Sequence, residues 1–239
     1  MDSCLAFFYP ECCQLCRVEK AGHVEGYVCR TCRNKPGAIR WIQPPICDRC
    51  GLPFEGEITT RFDCPNCKNV RLGFSRARAA VVFGGIVLEV VHRYKYKGHT
   101  WFEPFLAGLL VEKAGPVLRC EEWDWIVPVP LHPLKMRERD FNQAERLARH
   151  LADATGIPLN AEILRKIKQT ETQTMLTRSK RAENVRGAFV VRPGAEVGGK
   201  RIVLVDDVFT TGATTNECAT ALKAAGAQDV CVWTLARGL

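Results

Sequence analysis

The chain has 239 residues, 46% hydrophobic and 25% charged, with 19 Gly and 13 Pro. These proportions exclude wholesale disorder, collagen and low-complexity repeats, and the length suits one domain of about 150–170 residues beside a smaller one. The net charge of +8 is a modest basic excess, informative only where it is concentrated.

Cysteine divides the chain. Ten of the 13 lie in the first 67 residues: Cys4, Cys12, Cys13, Cys16, Cys29, Cys32, Cys47, Cys50, Cys64 and Cys67. Cys120, Cys218 and Cys231 are scattered beyond them. The opening MDSCLAFFYPECC has no basic region before its short apolar stretch and no clean cleavage site, so it does not read as an export signal. The longest apolar run, residues 79–88, is about half the length of a bilayer span. A cytoplasmic protein without membrane insertion is expected. Its thiols stay reduced, so clustered Cys reads as metal binding rather than a disulfide framework.

The spacing supports that reading twice over. Cys13-x2-Cys16 and Cys29-x2-Cys32 are followed by Cys47-x2-Cys50 and Cys64-x2-Cys67. Two such knuckles supply four thiolates to one tetrahedral zinc. Gly51 after Cys50 suits the left-handed position that the turn requires. Cys12 or Cys4 could replace Cys13, though only Cys13 keeps the spacing, and a cross-brace with alternate pairs sharing an ion stays open as the alternative. Four-Cys sites leave no open position for water, so two structural zinc ions are expected rather than catalytic ones. With few large apolar residues, the region needs metal as a core substitute. Residues 1–72 carry ten Lys/Arg and eight Asp/Glu, a net of +2. Eight thiolates around two zinc ions shift that to about −2.

From residue 79 the pattern becomes α/β, with a short strand over 79–83 and helices over 86–94 and 102–113. An apolar strand over 125–129 ends in Pro128-Val129-Pro130. The helix over 142–155 is clear: Ala144, Leu147, Ala148 and Leu151 share one face. Asn142 caps it, Glu145 can complete a capping box, and Gly156 and Pro158 close it. Residues 165–186 hold seven basic and two acidic groups with poor apolar spacing, which reads as a mobile loop with one helical turn. Residues 131–190 together carry twelve basic and seven acidic groups, a net of +5. That segment is either a solvated surface or a seat for an anionic ligand, phosphate or nucleic acid. Strands over 189–191, 201–205 and 229–235, with a helix over 212–225, imply a right-handed crossover and a parallel sheet. Ligands in such sheets bind at the carboxyl ends of the strands.

The most informative stretch is Val203-Leu204-Val205-Asp206-Asp207-Val208-Phe209-Thr210-Thr211-Gly212-Ala213-Thr214-Thr215. An apolar strand delivers two carboxylates to the sheet edge, and a short turn leads into a helix with small and hydroxylated first residues. A helix N-terminus with Thr hydroxyls suits a phosphate. Carboxylates suit ribose hydroxyls or a metal. No Lys follows Gly212, so this is not a Walker loop.

The stretch resembles the phosphoribosyl pyrophosphate (PRPP) motif of type I phosphoribosyltransferases. Lys95-Tyr96-Lys97-Gly98, Val127-Pro128-Val129-Pro130-Leu131, Arg137-x-Arg139-Asp140-Phe141-Asn142-Gln143, and the segment from Thr172-Gln173 through Leu176, Arg181 and Asn184-Val185 to Phe189 narrow the resemblance. With the paired knuckles, they resemble the ComF family of competence-associated proteins over nearly the whole chain. The implied fold is a double zinc ribbon over 1–72 and, over 73–239, a type I phosphoribosyltransferase-like parallel sheet flanked by helices. The resemblance implies that Asp206 and Asp207 contact ribose and that Thr210, Thr211, Gly212, Ala213 and Thr214 form the 5′-phosphate loop. It further implies that Arg137 and Arg139 serve a pyrophosphate loop, that 165–186 form a flexible hood, and that Mg2+ arrives on PRPP. The family usually has Gly where this chain has Asp140, and purine-salvage relatives carry an acid where it has Thr210.

Two functions follow. One is a PRPP-binding module acting in uptake of single-stranded DNA beside a helicase-like competence protein. The other is an active transferase moving phosphoribose to an unidentified nitrogen acceptor. Trp41, Phe54 and Phe62 in the ribbons read as packing residues rather than base-stacking ones.

Overall fold

The computed structural model describes residues 11–54, 56, 64–68, 70–170 and 178–239. Expectations for Cys4, Phe62, Thr172, Gln173 and Leu176 lie outside the described residues. After a short helix α1 (Arg30–Asn34), the α/β region runs β1 (Arg76–Val82), α2 (Gly85–Lys97), α3 (Glu103–Arg119), β2 (Trp125–Pro128), α4 (Pro133–Arg139) and α5 (Gln143–Thr155). It continues through β3 (Leu164–Lys166), α6 (Arg178–Val185), β4 (Phe189–Val191), β5 (Arg201–Phe209), α7 (Ala213–Ala224) and β6 (Asp229–Arg237).

Strands β1, β6, β5 and β2 form a sheet in that order, each neighbouring pair parallel. The continuous apolar runs of β5 and β6 follow from burial on both faces. Val203, Val205, Cys231, Trp233 and Leu235 face one core cluster. Ile202, Leu204, Val230 and Val232 face the other. The outer edge of β1 is covered by the ribbon: Ile42 N–H donates to Ala80 O (3.0 Å), and Val82 N–H to Arg40 O (2.8 Å). That pairing protects an edge that would otherwise invite association. Trp41 packs against the first cluster and Phe54 against the second, as packing residues should.

Several boundaries differ from expectation for local reasons. Helix α3 continues past Pro116 to Arg119, its last turns held by buried Ala114 and Leu118. Strand β5 runs past Asp206 and Asp207 to Phe209, so the acids lie within the strand rather than at its tip. At the ends of the expected loop over 165–186, β3 pairs antiparallel with β4, and residues 178–185 form the two-turn helix α6. Residues 171–177 lie outside the description. Asn142 caps α5 by accepting from Ala144 N–H at 3.0 Å, while Glu145 bonds Arg149 at 3.1 Å. Asp140 takes the left-handed conformation (φ 62°, ψ −5°) at the end of α4. The acid therefore adopts a geometry that glycine would adopt without strain.

Candidate phosphate site and two cysteine clusters

The four thiols Cys13, Cys16, Cys29 and Cys32 form one group, and Cys47, Cys50, Cys64 and Cys67 another, with all sulfurs of each within 4.8 Å. Among the described residues the grouping is consecutive, not cross-braced, and it includes Cys13 rather than Cys12. Sulfur separations are 3.8 Å for Cys13–Cys32 and Cys16–Cys29, and 3.6 Å for Cys47–Cys67 and Cys50–Cys64. Four sulfurs at the usual Zn–S length of about 2.3 Å stand roughly 3.8 Å apart around a tetrahedral ion, so both groups fit zinc. Amide donation from Glu19 and Val18 pulls the Cys16 thiol down to about 6, ready for metal. Cys50 is buried, which disfavours its thiolate, yet Asn66, the Leu52 amide and Arg237 together bring it below the ordinary thiol range.

The candidate phosphate site is built where β5 turns into α7. Gly212 sits in the left-handed region (φ 78°, ψ 7°), and a Cβ there would lie 2.4 Å from Phe209 Cζ. Glycine is required on both counts. Ala213 N–H donates to Thr211 Oγ1 (3.4 Å), and the buried Thr215 hydroxyl to Gly212 O (3.1 Å), fixing the first turn. Thr210, Thr211, Ala213 and Thr214 are partly exposed around the buried Gly212, and follow directly on the acids in the chain.

The two carboxylates differ. Asp207 is buried, only 6% exposed, and ion-paired with Lys95 from the last turn of α2. Its Oδ1 accepts from Val208 N–H at 2.8 Å. Asp206 is partly buried and accepts from Asp207 N–H at 2.8 Å. Burial and then the Asp207 charge raise Asp206 to about 8, with Lys95 opposing. Asp206 is therefore largely protonated at neutral pH.

The structure brings the acids and the phosphate loop together on one strand and turn. It places Arg137 on the exposed last turn of α4. Arg139 donates to Gln143 Oε1 (3.1 Å) and lies 5.2 Å from the centre of the half-exposed Tyr96 ring. Both arginines thus follow the loop after β2, at the carboxyl edge of the sheet. Lys166, on β3, is pushed below the ordinary lysine range by burial. Gly187 N–H donates to Glu217 Oε2 (2.9 Å), joining the turn after α6 to α7.

Sequence reasoning quoted Lys95 as part of a motif without giving it chemistry. A lysine in a basic tripeptide at a helix end normally reads as solvated. Arg237 it missed entirely: nothing in a charge that ends an apolar strand announces burial.

A parallel sheet with acids on a central strand, a glycine-hinged turn and a pair of Cys4 clusters defines a phosphoribosyltransferase-type fold carrying a double zinc ribbon. Comparison with known proteins agrees: the phosphoribosyl transferase domain family matches residues 142–239 and the double zinc ribbon domain family residues 4–70. The DNA utilization protein YhgH of Salmonella typhimurium is 31% identical over 233 residues, covering 96% of this chain and 98% of that protein. Competence protein F of Haemophilus influenzae is 30% identical over 200 residues, covering 81% of this chain and 85% of the relative. Competence protein ComFC of Streptococcus pneumoniae is 29% identical, covering 80% and 87%. The chain belongs to the ComF family. Among the described residues, no helix is long and apolar enough to cross a membrane.

Proposed function

We propose that this chain binds PRPP, or a closely related phosphoribosyl ligand, and works in the cytoplasm in uptake of single-stranded DNA beside a helicase-like competence protein. Residues 1–72 act as the ribbon unit and 73–239 as the ligand-binding unit. The observation that carries the reading is the single turn joining Asp206 and Asp207 to the Gly212 hinge and the start of α7. Thr210, Thr211, Gly212, Ala213 and Thr214 hold the 5′-phosphate, and Asp206 accepts from the ribose hydroxyls. Lys95 already neutralises Asp207, so Mg2+ is carried by the ligand's own phosphates rather than by the paired acids. Arg137 and Arg139 meet the pyrophosphate. The names of the relatives support the DNA-uptake role.

Calorimetric titration with PRPP, with and without Mg2+, tests this. Asp206→Asn should weaken binding about 10- to 150-fold, the value of a hydrogen bond to a charged group. Wild-type affinity in that variant overturns the site. Because an ionised Asp206 accepts more strongly from a diol than a protonated one, affinity should rise with pH toward about 8. Single-stranded DNA should compete with PRPP, with affinity falling steeply as salt rises.

The second reading, an active transferase, is favoured by Lys166, a lysine with a lowered pKa within electrostatic reach of Asp206. Pyrophosphate release on adding a nitrogen base distinguishes it from binding alone.

A further inference from the structure

We propose that Arg237 makes the second cysteine cluster part of the phosphate loop, so that zinc held there and anion bound at 210–214 reinforce each other. The inference rests on the phosphoribosyl reading of that loop.

Arg237 ends β6 and is only 1% exposed. A guanidinium carries five donors and a permanent charge, and burying it is costly unless that charge is met. Its Nη2 donates to Cys50 Sγ at 3.7 Å, while Nε and Nη1 have no hydrogen-bond partner among the described residues. What meets the charge is the cluster itself, because four thiolates around Zn2+ carry a net charge of −2. Without metal that fixed charge is lost, and Arg237 is left a buried cation with one weak acceptor among the described residues. Zinc and Arg237 therefore each stabilise the other in place.

The other side of Arg237 faces the phosphate loop. Its guanidinium carbon lies 4.6 Å from the centre of the Phe209 ring. That ring fills the space where a Cβ of Gly212 would stand. The main chain repeats the connection: Phe209 pairs with Arg237 in register, Gly238 N–H donates to Phe209 O (2.9 Å), and Phe83 N–H donates to Arg237 O (2.7 Å). A guanidinium released from the cluster takes its support from Phe209, and Phe209 is what Gly212 leans on. Arg237 is thus a positioning residue, acting on the anion through Phe209 and Gly212. The first cluster has a different setting, against α2 and α3.

The test uses the full zinc-loaded chain and follows transfer of both zinc ions to a chelator, with Mg2+ and PRPP present or absent. In wild type, PRPP should slow the loss of one zinc about fivefold or more, the lower end of usual coupling strengths, and leave the other unchanged. Arg237→Met should release that zinc about tenfold faster and weaken PRPP by a similar factor, each a tenfold step of about 1.4 kcal/mol. Arg237→Lys, which restores the charge, should recover most of the zinc retention. In the Co2+-substituted protein, Arg237→Met should shift the thiolate charge-transfer band, since a donor to Cys50 is lost. Phe209→Leu should retain zinc as wild type does but lose the slowing by PRPP, and it carries the test if Arg237→Met does not fold. Wild-type zinc release and PRPP affinity in Arg237→Met, or PRPP slowing both zincs equally, overturns the proposal. A wild-type protein that fails to bind PRPP overturns the phosphoribosyl reading and the coupling with it. Zinc release from Arg237→Met then still decides whether Arg237 holds the cluster.

Discussion

The two cysteine clusters have the same ligands, nearly the same sulfur spacing and the same first turn, yet they sit in different surroundings. Arg17 N–H donates to Cys13 O in one, and Gly51 N–H to Cys47 O in the other, both at 2.8 Å. Arg17 (φ 59°) and Gly51 (φ 65°) occupy the same left-handed position. Beyond that turn they diverge. The first cluster packs with α2 and α3, where Arg93 donates to Gln14 O (2.7 Å) and the Arg33 guanidinium lies over Phe105. The second packs on the opposite face of the sheet with Phe209, Cys218 and α7. One metal geometry therefore serves two purposes: one knuckle fixes helices, and the other abuts the candidate ligand loop.

Removing the metal separates them most forcefully. Cys16→Ser and Cys67→Ser should each lower zinc content from two ions to one, because structural zinc contributes on the order of 10 kcal/mol to such folds. Both variants should unfold at lower temperature. Only Cys67→Ser should weaken PRPP by tenfold or more; equal effects on PRPP would abolish the distinction. Thermal unfolding, metal analysis and calorimetry on the same samples settle it.

Gly51→Ala comes next in size. A Cβ at this position would lie 2.6 Å from Ala77 O, on backbone that cannot yield as a side chain does. The left-handed conformation adds its own penalty. Together these should cost about 2–3 kcal/mol, read as a shift in denaturant midpoint. A change below the scatter of repeat measurements would mean that the knuckle does not press on β1.

The two faces also answer pH in opposite senses. On the first-cluster side, burial opposes ionisation of Glu103, but hydrogen bonds from His150 (3.0 Å) and Arg146 (2.8 Å) hold it down at about 2. Its contribution is fully present above the usual Glu pKa of about 4.3 and is lost as pH falls toward 2. Asp206, raised to about 8, binds its proton more tightly folded than unfolded. Stability of the ligand-free chain should therefore fall as pH rises from about 4 to about 8. Denaturant midpoints from pH 3 to 9 should show both limbs. Glu103→Gln should flatten only the acid limb, and Asp206→Asn only the neutral one.

What the sequence disclosed, and what it hid, follows the same division. Both zinc groups are legible because x2 spacing is a covalent constraint that survives whatever packs around it. Helix α5 is legible because Ala144, Leu147, Ala148 and Leu151 carry the helical period unbroken. The parallel order of β5, α7 and β6 follows from apolar runs too continuous for a solvated face. The end of β5 was hidden because Asp206 and Asp207 interrupt the apolar pattern, and the partner of Asp207, Lys95, stands 112 positions earlier in the chain. The hood helix α6 was hidden for want of an apolar stripe. Arg237 was hidden because its compensation lies 187 residues away at Cys50. Local patterns are legible; long-range charge compensation is not.

The smallest effect is expected at the counterpart of Gly51. Arg17 holds the same left-handed turn, but it is exposed. An L-residue pays for positive φ, whereas glycine does not, although glycine also gives the unfolded chain more freedom. The first term should exceed the second, so Arg17→Gly should stabilise the chain by about 0.5–1 kcal/mol. Gly51→Ala and Arg17→Gly thus form a reciprocal pair at one turn, opposite in sign and unequal in size, because only the second knuckle presses its turn against the edge of β1. Zinc content and PRPP affinity should be unchanged in Arg17→Gly. A loss of stability there would mean that the Arg17 side chain holds the first knuckle through a contact of its own, and the equivalence of the two turns would fall with it.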